Sequence, residues 1–242
     1  MLESRRLSVI IPAYNESLLI EKTLSEIYQL SPQLVSRIIV VNDGSHDDTA
    51  IILERLSKDM PCLEVVGHPS NQGFGTSIVT GLGRVTSSHV AWLPADGAID
   101  PLALESVHLV DESSPIIFGF RSGYLAGKRR FVSRGVAEAI QLLFNVDLNN
   151  YSGFFVGKSD SLRLLNLKPQ SIFLTWQVAI KAHDNLGRLS KSEVVVRNER
   201  NMARTSRTFS MSNLVRGIIE LISLWIELKL PHKRTEDAHE SI

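Results

Sequence analysis

The sequence predicts an α/β fold, a sheet flanked by helices, and three observations carry that reading. Two short β-branched runs, residues 8–11 and 38–41, are long enough for buried strands and too short for helices. Strands of a parallel sheet, buried on both faces, read as unbroken apolar runs of this kind. Each run ends in a polar loop, Ala13-Tyr14-Asn15-Glu16 after the first and Asn42-Asp43-Gly44-Ser45 after the second. Each loop then feeds an amphipathic helical stretch, 18–30 and 47–58. Open α/β sheets bind ligands outside the carboxyl ends of their strands, so both loops fall on the ligand edge.

The later elements follow in order. Residues 63–66 form a short, edge-like strand, and 76–85 read as the next helix. Between them, Asn71-Gln72-Gly73-Phe74-Gly75 is a loop. It is no phosphate-binding P-loop, because no Gly-Lys-Ser/Thr follows, and Ile78 takes the third glycine position of a dinucleotide fingerprint. Its glycines suit close backbone approach to a ligand. Residues 89–93 form a strand that runs into Pro94-Ala95-Asp96-Gly97. Asp100 before Pro101 reads as a helix cap, and Asp47 and Asp48 read as caps of the helix behind them. A strand over 116–120 ends in Arg121. Helices are expected over 131–146, 159–165 and 175–183, strands over 153–156 and 192–196, and a long helix over 212–229. The organisation expected is one domain over 1–210, a helical appendage over 211–230, and a polar tail over 231–242 with the composition of disorder.

Composition narrows the function classes. Lys+Arg and Asp+Glu balance at 26 each in 242 residues, which argues against a nucleic-acid partner. Local charge is less even. Arg197, Arg200, Arg204 and Arg207 face one acid, Glu199, and Lys128-Arg129-Arg130 lies close to Arg134. Such clusters suit an anionic ligand. Cys62 is the only cysteine, so no internal disulfide forms and a reducing compartment fits. The first apolar run stops at Pro12 without the pattern of a signal peptide, so a cytoplasmic protein is expected. The seven histidines lack ligand spacing and read as surface or loop residues.

These residues together resemble a known family. Val-Ile-Ile-Pro-Ala-Tyr-Asn-Glu (9–16), Val-Val-Asn-Asp-Gly-Ser-x-Asp-Asp-Thr (40–49), Asn-x-Gly-x-Gly (71–75), a strand ending in Ala95-Asp96 and an Arg-rich loop look like the family 2 glycosyltransferases of GT-A fold. The nearer likeness is to the branch with dolichyl- and polyprenyl-phosphate mannose or glucose synthases, over about residues 7–210. Looser matches are 129–135 (Arg-x-x-x-Ser-Arg-Gly), Ser152-Gly153-Phe154-Phe155, and 193–196 followed by Arg200 and Ser206-Arg207.

The resemblance implies a GT-A-like mixed sheet and an inverting hexose transfer from UDP- or GDP-hexose. It implies a base slot shaped by Pro12, Ala13 and Tyr14, with Glu16 on the ribose and Asp43 on a base N–H. Gly44, Ser45, Asn71, Gly75 and Ala95 would line the nucleotide. Asp96 would hold Mg²⁺ or Mn²⁺. The family usually shows Asp-x-Asp there, and Pro94 stands where the first carboxylate would be. Arg134, Arg200 and Arg207 fall at positions that meet phosphate, and Arg121 ends a strand at the same edge. Thr175-Trp176-Gln177 lacks the carboxylate that serves as general base for hydroxyl acceptors. A phosphate acceptor is already anionic and needs none, which favours a polyprenyl phosphate. A sugar-hydroxyl acceptor and a non-catalytic nucleotide-sugar-binding homologue are the alternatives.

The helix over 212–229 places Leu214, Val215, Ile218, Ile222, Trp225 and Leu228 at helical spacing, with Arg216, Glu220, Ser223 and Glu227 on another face. Two acids and Gly217 argue against a spanning helix. It reads as a helix on the inner membrane surface, with packing on the protein's own core or a homo-oligomer contact as the other arrangements.

Overall fold

The computed structural model describes residues 6–30, 33–121, 128–169, 171, 173–197 and 211–229, with backbone alone over 128–133 and 211–215. The polar tail, Arg200 and Arg207 lie outside the described residues.

Among the described residues, seven strands form one mixed sheet: β1 (Leu7–Ala13), β2 (Val35–Asn42), β3 (Leu63–Gly67), β4 (His89–Trp92), β5 (Ile116–Arg121), β6 (Tyr151–Lys158) and β7 (Ser190–Val194). Their order is β3-β2-β1-β4-β6-β5-β7. β1, β2, β3 and β4 run parallel, β6 is antiparallel to both neighbours, and β7 is parallel to β5. The α/β expectation therefore holds, with β3 at an edge; β7 is the exception among the strands, a polar edge strand that starts two residues before the expected 192–196.

Seven helices flank the sheet: α1 (Ile20–Tyr28), α2 (Thr49–Asp59), α3 (Phe74–Leu82), α4 (Lys128–Phe144), α5 (Ser159–Arg163), α6 (Leu174–Leu186) and α7 (Met211–Lys229). Strand alternation splits the core in two. Leu7, Val9 and Ile11 pack with α1 and α2, while Ile10, Ile39 and Val41 pack with α3 and α6. The stretch after Asp100 is a 3₁₀ segment, Pro101–Leu109, with Asp100 accepting from the Leu102 N–H. Its buried residues Pro101, Leu104 and Val107 recur every three positions, the 3₁₀ repeat.

One expectation changes: His89 opens β4 as a buried strand residue, while His68 lies in the loop after β3 with its side chain 8% exposed. On α7, Glu220 accepts from Ser171 Oγ, and Glu227 pairs with Lys168 and Lys181 at 2.7 and 2.8 Å. The acids thus face the body beside buried Leu221 and Leu224. An added Cβ at Gly217 would overlap the Phe173 ring, so that glycine lets α7 sit close. Ile218, Ile219, Ile222, Trp225 and Ile226 face outward, 40–62% exposed. No helix of the described residues is long and apolar enough to cross a membrane.

Candidate functional site

Register defines the edge on which the loops meet. Ala13 pairs with Asn42, Asn42 with Gly67, Phe120 with Tyr151, and Arg121 with Val194. The ends of β1, β2, β3, β4, β5 and β7 and the start of β6 therefore share one side of the sheet. From β1 the chain turns to β2 on one flank, with β4 on the other. α1 and α2 cover one face and α3 the opposite face. Such a reversal opens a crevice between the two central strands, here β1 and β4.

The first two loops are stitched side by side. Ser45 Oγ accepts from the Asn15 N–H (3.0 Å), and Asn15 Oδ1 from the His46 N–H (2.8 Å). The Glu16 N–H donates to Thr49 Oγ1 (2.8 Å), whose hydroxyl donates to Asp47. Asp47 also accepts from the Ser17 N–H (3.1 Å) and the Thr49 N–H (3.1 Å). Asn15 holds φ 55°, a left-handed conformation that Asn tolerates. Burial raises the Asp47 carboxyl, but hydrogen bonds from Thr49 and Ser17 outweigh it and set the pKa at about 2. Asp48 flanks α2 without a side-chain cap bond, so of the two expected caps Asp47 alone bonds the helix start. Pro12, Tyr14 and Glu16 remain half-buried at the rim, with Tyr14 edge-on to His46. Ala13 and Ala95 are buried.

Asp43 is deeper than a rim residue, at 3% exposure. Its Oδ1 accepts from the Gln72 N–H (2.9 Å) and faces His68 Nδ1 (2.7 Å), and its Oδ2 accepts from the Gly73 N–H (2.8 Å). Its carboxylate therefore holds the 71–73 loop. Gly44, at φ 68°, has no room for a side chain because Ser70 and Asn71 press on it. Asn71 is exposed. A side chain at Gly75 would meet the carbonyls of Pro169 and Ser171, so the chain's own backbone requires a glycine there.

After β4, the Gly97 N–H closes a turn onto the Pro94 carbonyl (3.2 Å). Half-buried Asp96 accepts from the Ala98 N–H (3.0 Å). The segment after β7 pairs with this loop: Ile99 bridges Val196, and the Arg197 N–H donates to the Ala98 carbonyl (2.8 Å). The Arg197 guanidinium grips Asp100 (2.9 Å) and Glu26 (2.6 Å). Burial lowers its pKa, and the two carboxylates more than offset that. Arg197 therefore drops out of the expected anion cluster, and Asp100 is spent on capping and this pair.

Arg121 differs. It ends β5 half-buried, and its Nε is buried with no hydrogen-bond partner among the described residues. Burial lowers its pKa. A guanidinium stays charged in proteins, and a buried donor without an acceptor is costly, so an anionic ligand would satisfy it. Arg134 stands exposed on α4 and pairs with Glu138 (2.8 Å). Thr175 takes the Tyr151 hydroxyl on its carbonyl (3.1 Å), and buried Gln177 accepts from the Lys168 N–H (2.9 Å). Residues 175–177 are thus structural.

No group of three or more His, Cys, Asp or Glu among the described residues could hold a metal. The donor set still fits a hard cation that takes one carboxylate and draws other ligands from phosphate and water. Asp96 is the carboxylate that follows β4 at this edge.

The model of glycosyl transferase family 2 matches residues 8–149, more than half of the chain. The chain belongs to this family. A dolichyl-phosphate β-glucosyltransferase of Trichomonas vaginalis is 33% identical over 153 residues, 56% of this chain and 47% of that protein. A dolichol-phosphate mannosyltransferase of Pyrococcus furiosus is 26% identical over 188 residues, 73% of this chain and 53% of that protein. The chain spans about half the length of these relatives. Glucosyl-3-phosphoglycerate synthase from Mycobacterium tuberculosis, solved with UDP, matches with a TM-score of 0.69 at 22% identity, over 95% of this chain and 82% of that one. The same enzyme with Mn²⁺, UDP-glucose and glycerol 3-phosphate matches at a TM-score of 0.68 and 21% identity, with 95% and 82% coverage. The GT-A-like fold of a family 2 glycosyltransferase is thus established.

The stitched loops yield a stability prediction. Asp47→Asn should cost about 1 kcal/mol near neutral pH, discounted for its partial exposure. The folded pKa is depressed, so the contribution is complete above about pH 4 and fades as pH falls toward 2. Urea melts of both proteins across that range should show the gap closing in acid. A gap independent of pH would contradict this.

Proposed function

We propose that this protein transfers a hexose, with inversion, from a UDP- or GDP-hexose to a polyprenyl phosphate. The observation that supports the donor half is that the stitched loops, Asp96 and Arg121, whose Nε has no partner among the described residues, lie along the same edge of the sheet. The acceptor half rests on the relatives and on residues 175–177, where a general base has no carboxylate to work with.

In this reading Pro12, Ala13 and Tyr14 border the base, Glu16 faces the ribose, and Ser45, Asn71 and Ala95 lie along the nucleotide. An oxygen of the acceptor phosphate attacks the anomeric carbon from the face opposite the nucleotide. The bond from that carbon to the diphosphate oxygen breaks, and its electron pair leaves with the nucleoside diphosphate. No proton has to be removed from the acceptor. Asp96 is the residue that would hold Mg²⁺ or Mn²⁺. The cation, when bound, would offset charge on the diphosphate. Arg121 donates to the same charge, and Arg200 and Arg207 are proposed as further phosphate partners. Pro94 removes one carboxylate and favours a second reading, a nucleotide-sugar binder without turnover.

The outer face of α7 supports a peripheral site on the inner membrane surface. Five apolar side chains point outward, the acids are turned inward, and Arg216 and Lys229 stand exposed toward its ends. This is the pattern of an interfacial helix. A groove of about 540 Å³ runs beside it, lined in part by Pro169, Phe173, Ile219 and Leu224, with Lys168 and Arg216 in its wall. It suits an apolar chain.

Labelled UDP- and GDP-hexoses incubated with polyprenyl phosphate should give an acid-labile, lipid-extractable product. EDTA should stop its formation, and Asp96→Asn should abolish it in a folded protein. A wild-type rate in Asp96→Asn overturns the metal role. Nucleotide binding without any product selects the binder, and a water-soluble glycan product selects a hydroxyl acceptor.

The membrane reading has its own test. The full chain should co-sediment with anionic vesicles at low salt, and Ile222→Ser with Trp225→Ser should release it with little change in melting temperature. Failure of the wild type to bind removes the lipid surface and leaves that face for a second subunit.

A further inference from the structure

His68 follows β3 directly, and its side chain is 8% exposed. Its Nδ1 lies 2.7 Å from Asp43 Oδ1, and its Nε2 lies 3.0 Å from Thr80 Oγ1 on α3. An ionised carboxylate only accepts, so Nδ1 carries a proton toward Asp43. In the neutral ring Nε2 then accepts from the Thr80 hydroxyl. The imidazole is thus held at both ends, and so is its bond to Asp43. Asp43 in turn holds the Gln72 and Gly73 N–H groups at the entry to α3.

A buried histidine is often no more than a filled core position. This one sits elsewhere in the logic of the fold. Asp43 directly follows β2 at the ligand edge, and its charge has to be met in place. Two of its three donors belong to the loop it positions, and the third is His68. The loop's amides alone would leave the carboxylate free to turn with the loop. His68, anchored on Thr80, gives it a fixed bearing.

We propose that His68 is a positioning residue of the donor site. With Thr80 it orients the Asp43 carboxylate, and through it the 71–73 loop that receives the nucleotide. The loop's contact with nucleotide rests on the function proposed above; the orientation of the loop does not.

Three variants separate this role from simple core filling. His68→Leu removes both bonds. His68→Asn keeps a donor near the position of Nδ1 and loses Thr80. Thr80→Val loses the Thr80 bond alone. Two readouts are compared in the full chain: hydrogen exchange at the Gln72 and Gly73 amides without ligand, and the affinity for UDP and GDP by calorimetry. In His68→Leu both amides should exchange about tenfold faster and nucleotide affinity should fall about tenfold, as for a lost bond to a charged group. His68→Asn should recover most of both effects, and Thr80→Val, which keeps the imidazole on Asp43, should fall between His68→Asn and wild type. Core filling alone predicts that Asn is no better than Leu, and that result overturns the proposal. So does wild-type exchange at Gln72 and Gly73 in a folded His68→Leu. If His68→Leu fails to fold, the ranking of wild type, Thr80→Val and His68→Asn decides: loosening confined to the 71–73 loop supports the role, and unchanged amides in both variants overturn it. Loosened amides in a protein that binds neither nucleotide support the positioning and overturn the donor reading instead.

Discussion

Asp43 brings a carboxylate into the interior at the end of β2, with 3% of its surface exposed. A charge so placed costs several kcal/mol unless donors replace the lost water. Two loop amides and an imidazole do so, while the Asp43 N–H bonds the Ala13 carbonyl at 2.8 Å. One residue therefore joins the ends of β1 and β2 to the entry of α3. Gly44 follows because Ser70 and Asn71 occupy the space a side chain would need. Gly75 follows because α3 then presses on the backbone of Pro169 and Ser171. Ser171 and the nearby Lys168 in turn receive α7. A chain of contacts runs from the buried charge to the outermost helix.

A second clamp faces this one across the sheet. Arg197 joins the segment after β7 to Asp100 and to Glu26 on α1, and the Ile99–Val196 bridge continues the pairing. Strand order sets β4 between the two halves, so the Asp96 turn issues between two braced regions. Preorganised groups in such a crevice need little rearrangement to meet a diphosphate. Among the described residues Arg121 Nε is one of the few buried polar atoms without a hydrogen-bond partner, and an unmet donor at this edge is what a phosphate site has before its ligand arrives.

Much of this was legible in the chain. The apolar runs marked the strands because a strand buried on both faces has no other way to read. Asp96 and Arg121 were placed by where those runs ended. The antiparallel direction of β6 was not legible from the run itself, since strand period is the same in either direction. Partners distant in sequence were hidden too. His68 meets Asp43 across 25 positions, and Arg197 meets Glu26 across 171. At Gly75 the need for a close approach shows in sequence, but its contact with the carbonyls of Pro169 and Ser171 does not. On α7 the pairing of Glu227 with Lys168 and Lys181, which turns that acid toward the body while Ile218, Ile222 and Trp225 face outward, was hidden for the same reason.

The central claim is that the crevice between β1 and β4 receives a nucleoside diphosphate. Amide chemical-shift mapping during titration with UDP or GDP and Mg²⁺ tests it most directly. The account predicts saturable shifts gathered at residues 13–17, 43–45, 71–73, 95–98 and 121, with the far ends of the same strands unmoved. Shifts confined to the groove beside α7, or none at millimolar nucleotide, would contradict it.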